Sequence, residues 1–137
     1  MSGEHAQMPG LAYGPSDVDA LDGVFTSRQL TRLDEAITLS SRESGLVFSV
    51  YVGALAEPTR AAAEELFGQL TPDAVLVAVS PGQRSLQIVT GAVSAARLPN
   101  RACALAALGM RAAFANGDLV GGLVTGLRML SDAAGRV

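Results

Sequence analysis

Four residues have the chemistry and the placement to hold a divalent cation: Asp22, Asp73, Asn100 and Asp118. Each falls where a loop meets an expected helix or strand, and loops at the ends of a sheet are where α/β proteins build their sites. Calcium takes about six or more oxygens. Three carboxylates, one amide and nearby carbonyls would hold calcium or magnesium if those loops converged. Each residue also has a purely structural use: Asp118 as a helix N-cap, Asn100 as a cap beside Pro99, Asp22 in a turn. Arg84 follows a tight turn and offers a cation to an anion, or stands solvated at a hairpin tip. A complete catalytic set is missing. Ser80 precedes Pro81-Gly82 and lacks the Gly-x-Ser-x-Gly frame of a nucleophile elbow. The one histidine is His5 and the one cysteine is Cys103. No His–carboxylate pair therefore stands ready to activate a hydroxyl or thiol. Cys103 lies in an Ala/Leu-rich stretch, where cysteine acts as a small hydrophobe. Gly121-Gly122 follows no strand and lacks the Gly-Lys-Ser/Thr ending of a phosphate loop.

Composition narrows the field further. The chain has 137 residues, 49% of them apolar and only 4% aromatic, with no tryptophan. That is enough for one core built of Ala, Val and Leu, and it leaves few platforms for stacking bases or sugars. Net charge is −3. Eleven acidic residues face four arginines in the first eighty positions, against two acidic residues (Asp118, Asp132) and six arginines beyond. An acidic chain without a basic motif is a poor nucleic-acid binder. The arginine-rich half suits anionic lipid, an acidic partner or plain solvent. Residues 1–20 show neither a basic n-region nor an apolar h-region. No run reaches the roughly 18 apolar residues that span a bilayer. The expected address is the cytoplasm.

The elements that must position these residues can be read in order. Residues 1–20 lack periodicity and read as a disordered acidic leader, with order beginning near Leu21. Thr26 and Gln29 fit a capping box. The helix behind them turns Leu30, Leu33 and Ile37 to one face and stops at Gly45. Residues 46–52 read as a strand covered on both faces. Pro58 opens the next helix, with Ala61, Ala62, Leu66 and Phe67 inward and Glu64 and Glu65 outward. Residues 74–80 and 85–90 read as strands joined by Pro81-Gly82-Gln83-Arg84, a link short enough to demand an antiparallel pair. The helical crossover before residue 74 allows a parallel pair, so the sheet is mixed. A long helix from about Pro99 to Phe114 follows, stopped by Asn116-Gly117. Asp118 caps the last helix, which turns Leu119, Leu123, Leu127 and Leu130 inward as far as about Ala134. Gly122 and Gly126 permit close helix packing. The expected fold is a single α/β sandwich domain over 21–137, with helices on a small mixed sheet of three or four strands.

These pieces, in this order, resemble the TPM domain family. The resemblance spans about Leu21 to Ala134. It rests on Asp22-Gly23-Val24-Phe25-Thr26, the central strand Ala74-Val75-Leu76-Val77-Ala78-Val79, and Arg84 with Leu86-Gln87-Ile88-Val89-Thr90-Gly91. Leu98-Pro99-Asn100 and Phe114-Ala115-Asn116-Gly117-Asp118-Leu119-Val120-Gly121-Gly122-Leu123 complete it. The chain departs from the family pattern at Thr71-Pro72-Asp73-Ala74 and at Gly91-Ala92-Val93, which keeps one glycine of a Gly-x-Gly. The resemblance implies an α/β sandwich and, from the family's phosphatase-like members, phosphoester hydrolysis or divalent-metal binding.

With the family core present and a catalytic set absent, the expectation is a non-enzymatic interaction module for a protein partner. It would work at a membrane-associated complex or peripherally at the inner membrane face. The alternatives are a metal-dependent phosphatase on small phosphoesters and a divalent-metal-binding regulatory module without turnover.

Overall fold

The computed structural model describes residues 10–13 and 25–136. Four strands form one sheet in the order β1 (Leu11–Tyr13), β2 (Val47–Val52), β3 (Ala74–Ser80), β4 (Ser85–Thr90). The first three run parallel, and β4 returns antiparallel to β3. Five helices complete the described residues: α1 (Ser27–Ser44), α2 (Thr59–Phe67), α3 (Ala92–Arg97), α4 (Asn100–Ala115) and α5 (Leu119–Ala134). The architecture is the expected α/β one, helices packed on a small mixed sheet.

Side chains alternate between the two faces of a strand, and β3 shows the result. Val75, Val77 and Val79 enter the larger core with Phe48 and Val50 of β2, Leu33 and Ile37 of α1, and Leu123 and Leu127 of α5. Leu76 and Ala78 enter the smaller core with Ala63 of α2 and Val89 of β4. One sheet face therefore carries α1, α4 and α5, and the other carries α2. A strand covered in this way has no solvent face, which is why its sequence is apolar without alternation.

Local signals set the helix ends. The Thr26 hydroxyl accepts from Gln29 N–H at 3.1 Å, and the Gln29 side chain accepts from Thr26 N–H at 2.8 Å. Gly45 ends α1 in the left-handed region at φ 78°. The Ser94 hydroxyl accepts from Gly91 N–H at 2.8 Å and donates to the Ala74 carbonyl at 2.7 Å, tying α3 to the start of β3. Arg97 donates to the carbonyls of Ala134 and Gly135 at 2.9 and 3.0 Å, satisfying the open end of α5.

Two expectations need correction, and one element is not foreseen in the sequence. Leu11–Tyr13 pairs with β2, so order reaches into the stretch read as leader; Leu11 also packs on the larger core. Residues 92–97, to which the sequence pattern assigns no element, form the helix α3, held by the Ser94 bonds. Pro58 is the N-cap of α2 and not its first turn; Ala62, Leu66 and Phe67 pack inward as expected, but Ala63 is the fully buried residue and Ala61 is exposed. The expected boundaries of β3 and β4 agree with the structure residue for residue.

The glycines of α5 let it lie against α4. A Cβ on Gly126 would stand 2.5 Å from Cγ of the buried Met110. On Gly109, at the exposed middle of α4, a Cβ would meet only Met129 Sδ at 3.7 Å, an ordinary contact. Gly126→Ala should lower stability by about 1–3 kcal/mol through overpacking. Gly109→Ala should raise it by about 0.5–1 kcal/mol through helix propensity. Urea denaturation of the two variants should give shifts of opposite sign; shifts of the same sign would contradict this packing.

Candidate functional site

A cleft of about 580 Å³ opens where the C-terminal end of β3 and the start of β4 meet the α4–α5 corner. The hairpin contributes Val79, Ser80, Pro81, Arg84, Ser85 and Leu86. The corner contributes Arg111, Phe114, Ala115, Gly117 and Leu119.

Gln83 makes the hairpin side firm. Residues 81–83 form one turn of 3₁₀ helix. The Gln83 side chain accepts from Leu55 N–H and donates to the Leu55 carbonyl, each at 2.8 Å, and also donates to Glu57 Oε2 at 3.0 Å. The Ser80 hydroxyl donates to Gln83 Oε1. The turn is thereby tied to the loop after β2. Arg84 follows it at φ 51°, the one residue other than glycine in the left-handed region among those described. The corner side depends on Gly117, at φ 81°, and on Asp118, whose carboxylate accepts from Gly121 N–H at 2.9 Å. A Cβ on Gly121 would overlap that carboxylate, so the cap and the glycine come as a pair.

The cleft is cationic. Arg111 donates to the Leu86 carbonyl at 3.2 Å, which anchors it across the cleft from its own helix. Among the described residues, Arg60–Glu64 is the one ion pair, so neither Arg84 nor Arg111 is neutralised by a carboxylate. The lining contains no Asp, Glu, His or Cys.

The candidates from the sequence fall into two groups. Asp118 sits between two lining residues of the cleft, and Arg84 lines it. Asp73 precedes β3 and accepts from the Thr71 hydroxyl, and its carbonyl accepts from Val47 N–H. It is separated from the Ser80 end by the length of a seven-residue strand, roughly 20 Å. Asn100 opens α4, whose last turn lines the cleft, and so lies toward the Asp73 end. Asp22 lies outside the described residues. Asp73, Asn100 and Asp118 thus do not converge, and no group of three or more His, Cys, Asp or Glu able to hold a metal occurs among the described residues.

Two features escape a reading of the sequence. Arg111 looks like an ordinary solvated helix residue until α4 is seen to bring it against Leu86. The outer face of α4 is apolar, with Leu105 51% and Leu108 66% exposed. Between Asp73 and Asp118 the chain has four arginines and no acidic residue, a pattern that marks the charge of this segment without singling out either feature.

This fold and this cleft define a small α/β domain with a cationic, acid-free cleft at one end of its sheet. A family model described as Domain of unknown function (DUF5130) matches residues 15–131, and the chain belongs to that family. It is 40% identical over 140 residues to the uncharacterized protein Rv2468c of Mycobacterium tuberculosis, covering 93% of this chain and 84% of that one. The N-terminal domain of the cg2496 protein from Corynebacterium glutamicum is similar in structure, with a TM-score of 0.72 at 12% identity over 93% of this chain and 81% of that one. The BA42 protein from Bizionia argentinensis gives a TM-score of 0.72 at 16% identity over 80% of this chain and 81% of that one. These two likenesses concern the fold.

Cys103, half-buried on α4, has its thiol pushed above the usual range by burial, partly offset by the Arg60 guanidinium. The neutral thiol is therefore favoured in the folded chain, and its stabilising contribution is full below the unfolded-state thiol value. It fades as pH rises through that value toward the folded one. Alkylation by iodoacetamide near pH 8 should be slower for the folded chain than for the urea-unfolded chain. Cys103→Ala should flatten the loss of stability at alkaline pH. Equal alkylation rates would contradict the burial argument.

Proposed function

We propose that the protein is a non-enzymatic interaction module of TPM-like fold that docks an acidic partner protein along the outer face of α4. The observation that carries this reading is the exposed pair Leu105 and Leu108 on a helix without a single acidic residue. Exposed apolar side chains grouped on one face mark interaction surfaces. Arg101, one turn before Leu105 on α4, and Arg128, beside Met129 on α5, are exposed and carry positive charge, with Asp132 one turn beyond Arg128. Charge at a rim steers association and selects an oppositely charged partner. A second copy of this chain would bring arginine against arginine, so a symmetric pairing through this face is disfavoured.

Among the described residues no helix is long and apolar enough to cross a membrane. Work at a membrane-associated complex would therefore come through the partner or through peripheral contact of the same cationic face. The sheet-and-helix frame is of the kind that the resemblance to TPM domains implies. Phosphatase chemistry would need a base or metal-binding carboxylates beside the two arginines. The cleft lining supplies none, and the adjacent Asp118 carboxylate is engaged by Gly121 N–H.

A photo-crosslinking residue at position 108, compared with one at position 65 on the exposed side of α2, tests the docking face in cells that make the protein. Adducts with an acidic protein should form from position 108 alone, and Leu105→Ser should weaken them. Equal adducts from both positions, or none from 108, would contradict the reading. Incubation with p-nitrophenyl phosphate and calcium, magnesium or manganese should release no phosphate above the buffer control. Turnover that follows protein concentration would overturn the non-enzymatic assignment.

A further inference from the structure

We propose that the cleft between the β3–β4 turn and the α4–α5 corner binds an apolar carboxylate: one anionic head on a branched or aromatic body. This site is separate from the docking face on α4 and stands on different observations. At about 580 Å³ the cleft falls within the range of ligand pockets, roughly 300–1,000 Å³. Its walls divide by chemistry. Val79, Leu86, Phe114 and Leu119 provide apolar surface, and Arg84 and Arg111 provide guanidinium groups without a carboxylate partner among the described residues. A planar guanidinium matches a carboxylate with two parallel hydrogen bonds.

Two further features sharpen the assignment. Arg84 occupies the left-handed region, at φ 51° and ψ 43°. Glycine or asparagine takes that conformation more readily. A turn that served folding alone would be better made by either, whereas arginine brings a charge to the cleft at the expense of its backbone. Non-glycine residues held in this region cluster at functional sites. Asp118, in sequence between lining residues Gly117 and Leu119, is not part of the lining, and its carboxylate accepts from Gly121 N–H, so the charge in the lining is positive only. The carboxylate can belong to a free organic acid or to the C-terminus of a peptide ending in an apolar residue.

Titration of the ¹⁵N-labelled chain, followed by NMR, distinguishes these cases. The probes are 4-methylpentanoate, a short acetylated peptide ending in leucine with a free C-terminus, the same peptide as its C-terminal amide, and phenyl phosphate. The amides of Leu86, Gly117 and Leu119 should shift with the carboxylates. The free peptide should bind at least about tenfold tighter than its amide, the effect expected of a charged hydrogen-bond partner. Tighter binding of the peptide than of 4-methylpentanoate assigns the site to a chain terminus, and the reverse order assigns it to a free acid. Arg84→Gly should reduce carboxylate binding by about tenfold or more while keeping or raising the midpoint of thermal unfolding. A purely structural arginine would show the opposite pattern. The peptide–amide comparison needs no variant and holds even if the variant folds poorly. The proposal is overturned if tens of millimolar carboxylate leave those amides unmoved, if Arg84→Gly binds as tightly as the parent, or if phenyl phosphate binds tighter than both carboxylates.

Discussion

Burial of one strand governs this molecule. All seven residues of β3 are buried, and only Val79 and Ser80 at its end reach the cleft. Its edges must be paired, because an unpaired buried amide or carbonyl is costly, and β2 and β4 pair them residue by residue. Its faces must also be covered. Val75, Val77 and Val79 require the layer of α1, α4 and α5, while Leu76 and Ala78 require α2. Once β3 is fixed, an open space is left at its C-terminal end between the turn that leaves it and the corner that packs over it. The cleft occupies that space.

The polar bonds that matter for the cleft serve to fix its edges. Gln83 ties the turn after β3 to the loop after β2, and Ser94 ties α3 to the beginning of the same strand. Asp118 caps α5 and relies on the missing side chain of Gly121 to do so. Between these fixed edges stand Arg84 and Arg111, both exposed. Acidic side chains collect elsewhere, among them Asp34, Glu35 and Glu43 of α1 and Glu64 and Glu65 of α2. Arg28, Arg32 and Arg42 offset the three acidic residues of α1, so the excess of positive charge is local to the cleft, where it draws an approaching anion.

Much of this frame is legible in the sequence where one local rule decides the outcome. The apolar, valine-rich run at 74–79, bounded by Pro72 and Pro81, reads as a strand covered on both faces, and its boundaries follow. The Thr26–Gln29 box and the Gly45 stop bound α1 because capping is settled within four residues. Where tertiary contact decides, the sequence is mute. β1 is three residues long and exists through its pairing with β2. α3 has six residues and depends on Ser94 reaching the carbonyl of Ala74. A start of α2 after Pro58 turns Ala63 inward and leaves Ala61 exposed, a rotation that periodicity alone does not resolve. At the site, Arg84 stands out because it follows a turn. Arg111 becomes visible only when α4 lies across Leu86. The acid-free stretch from 74 to 117 was present in the charge pattern, but a division near residue 80 blurs its limits.

The central claim is that β3 holds the sheet and both helical layers together, and that the cleft and the outer face of α4 lie outside this framework. Native-state hydrogen exchange tests it amide by amide. The amides of β3 should exchange only through global unfolding, with a free energy equal to that from urea denaturation, and the exposed turn around Arg84 should open at far lower cost. Exchange of β3 before α1 and α5 would show that the helical layer stands without the strand, and would contradict the account.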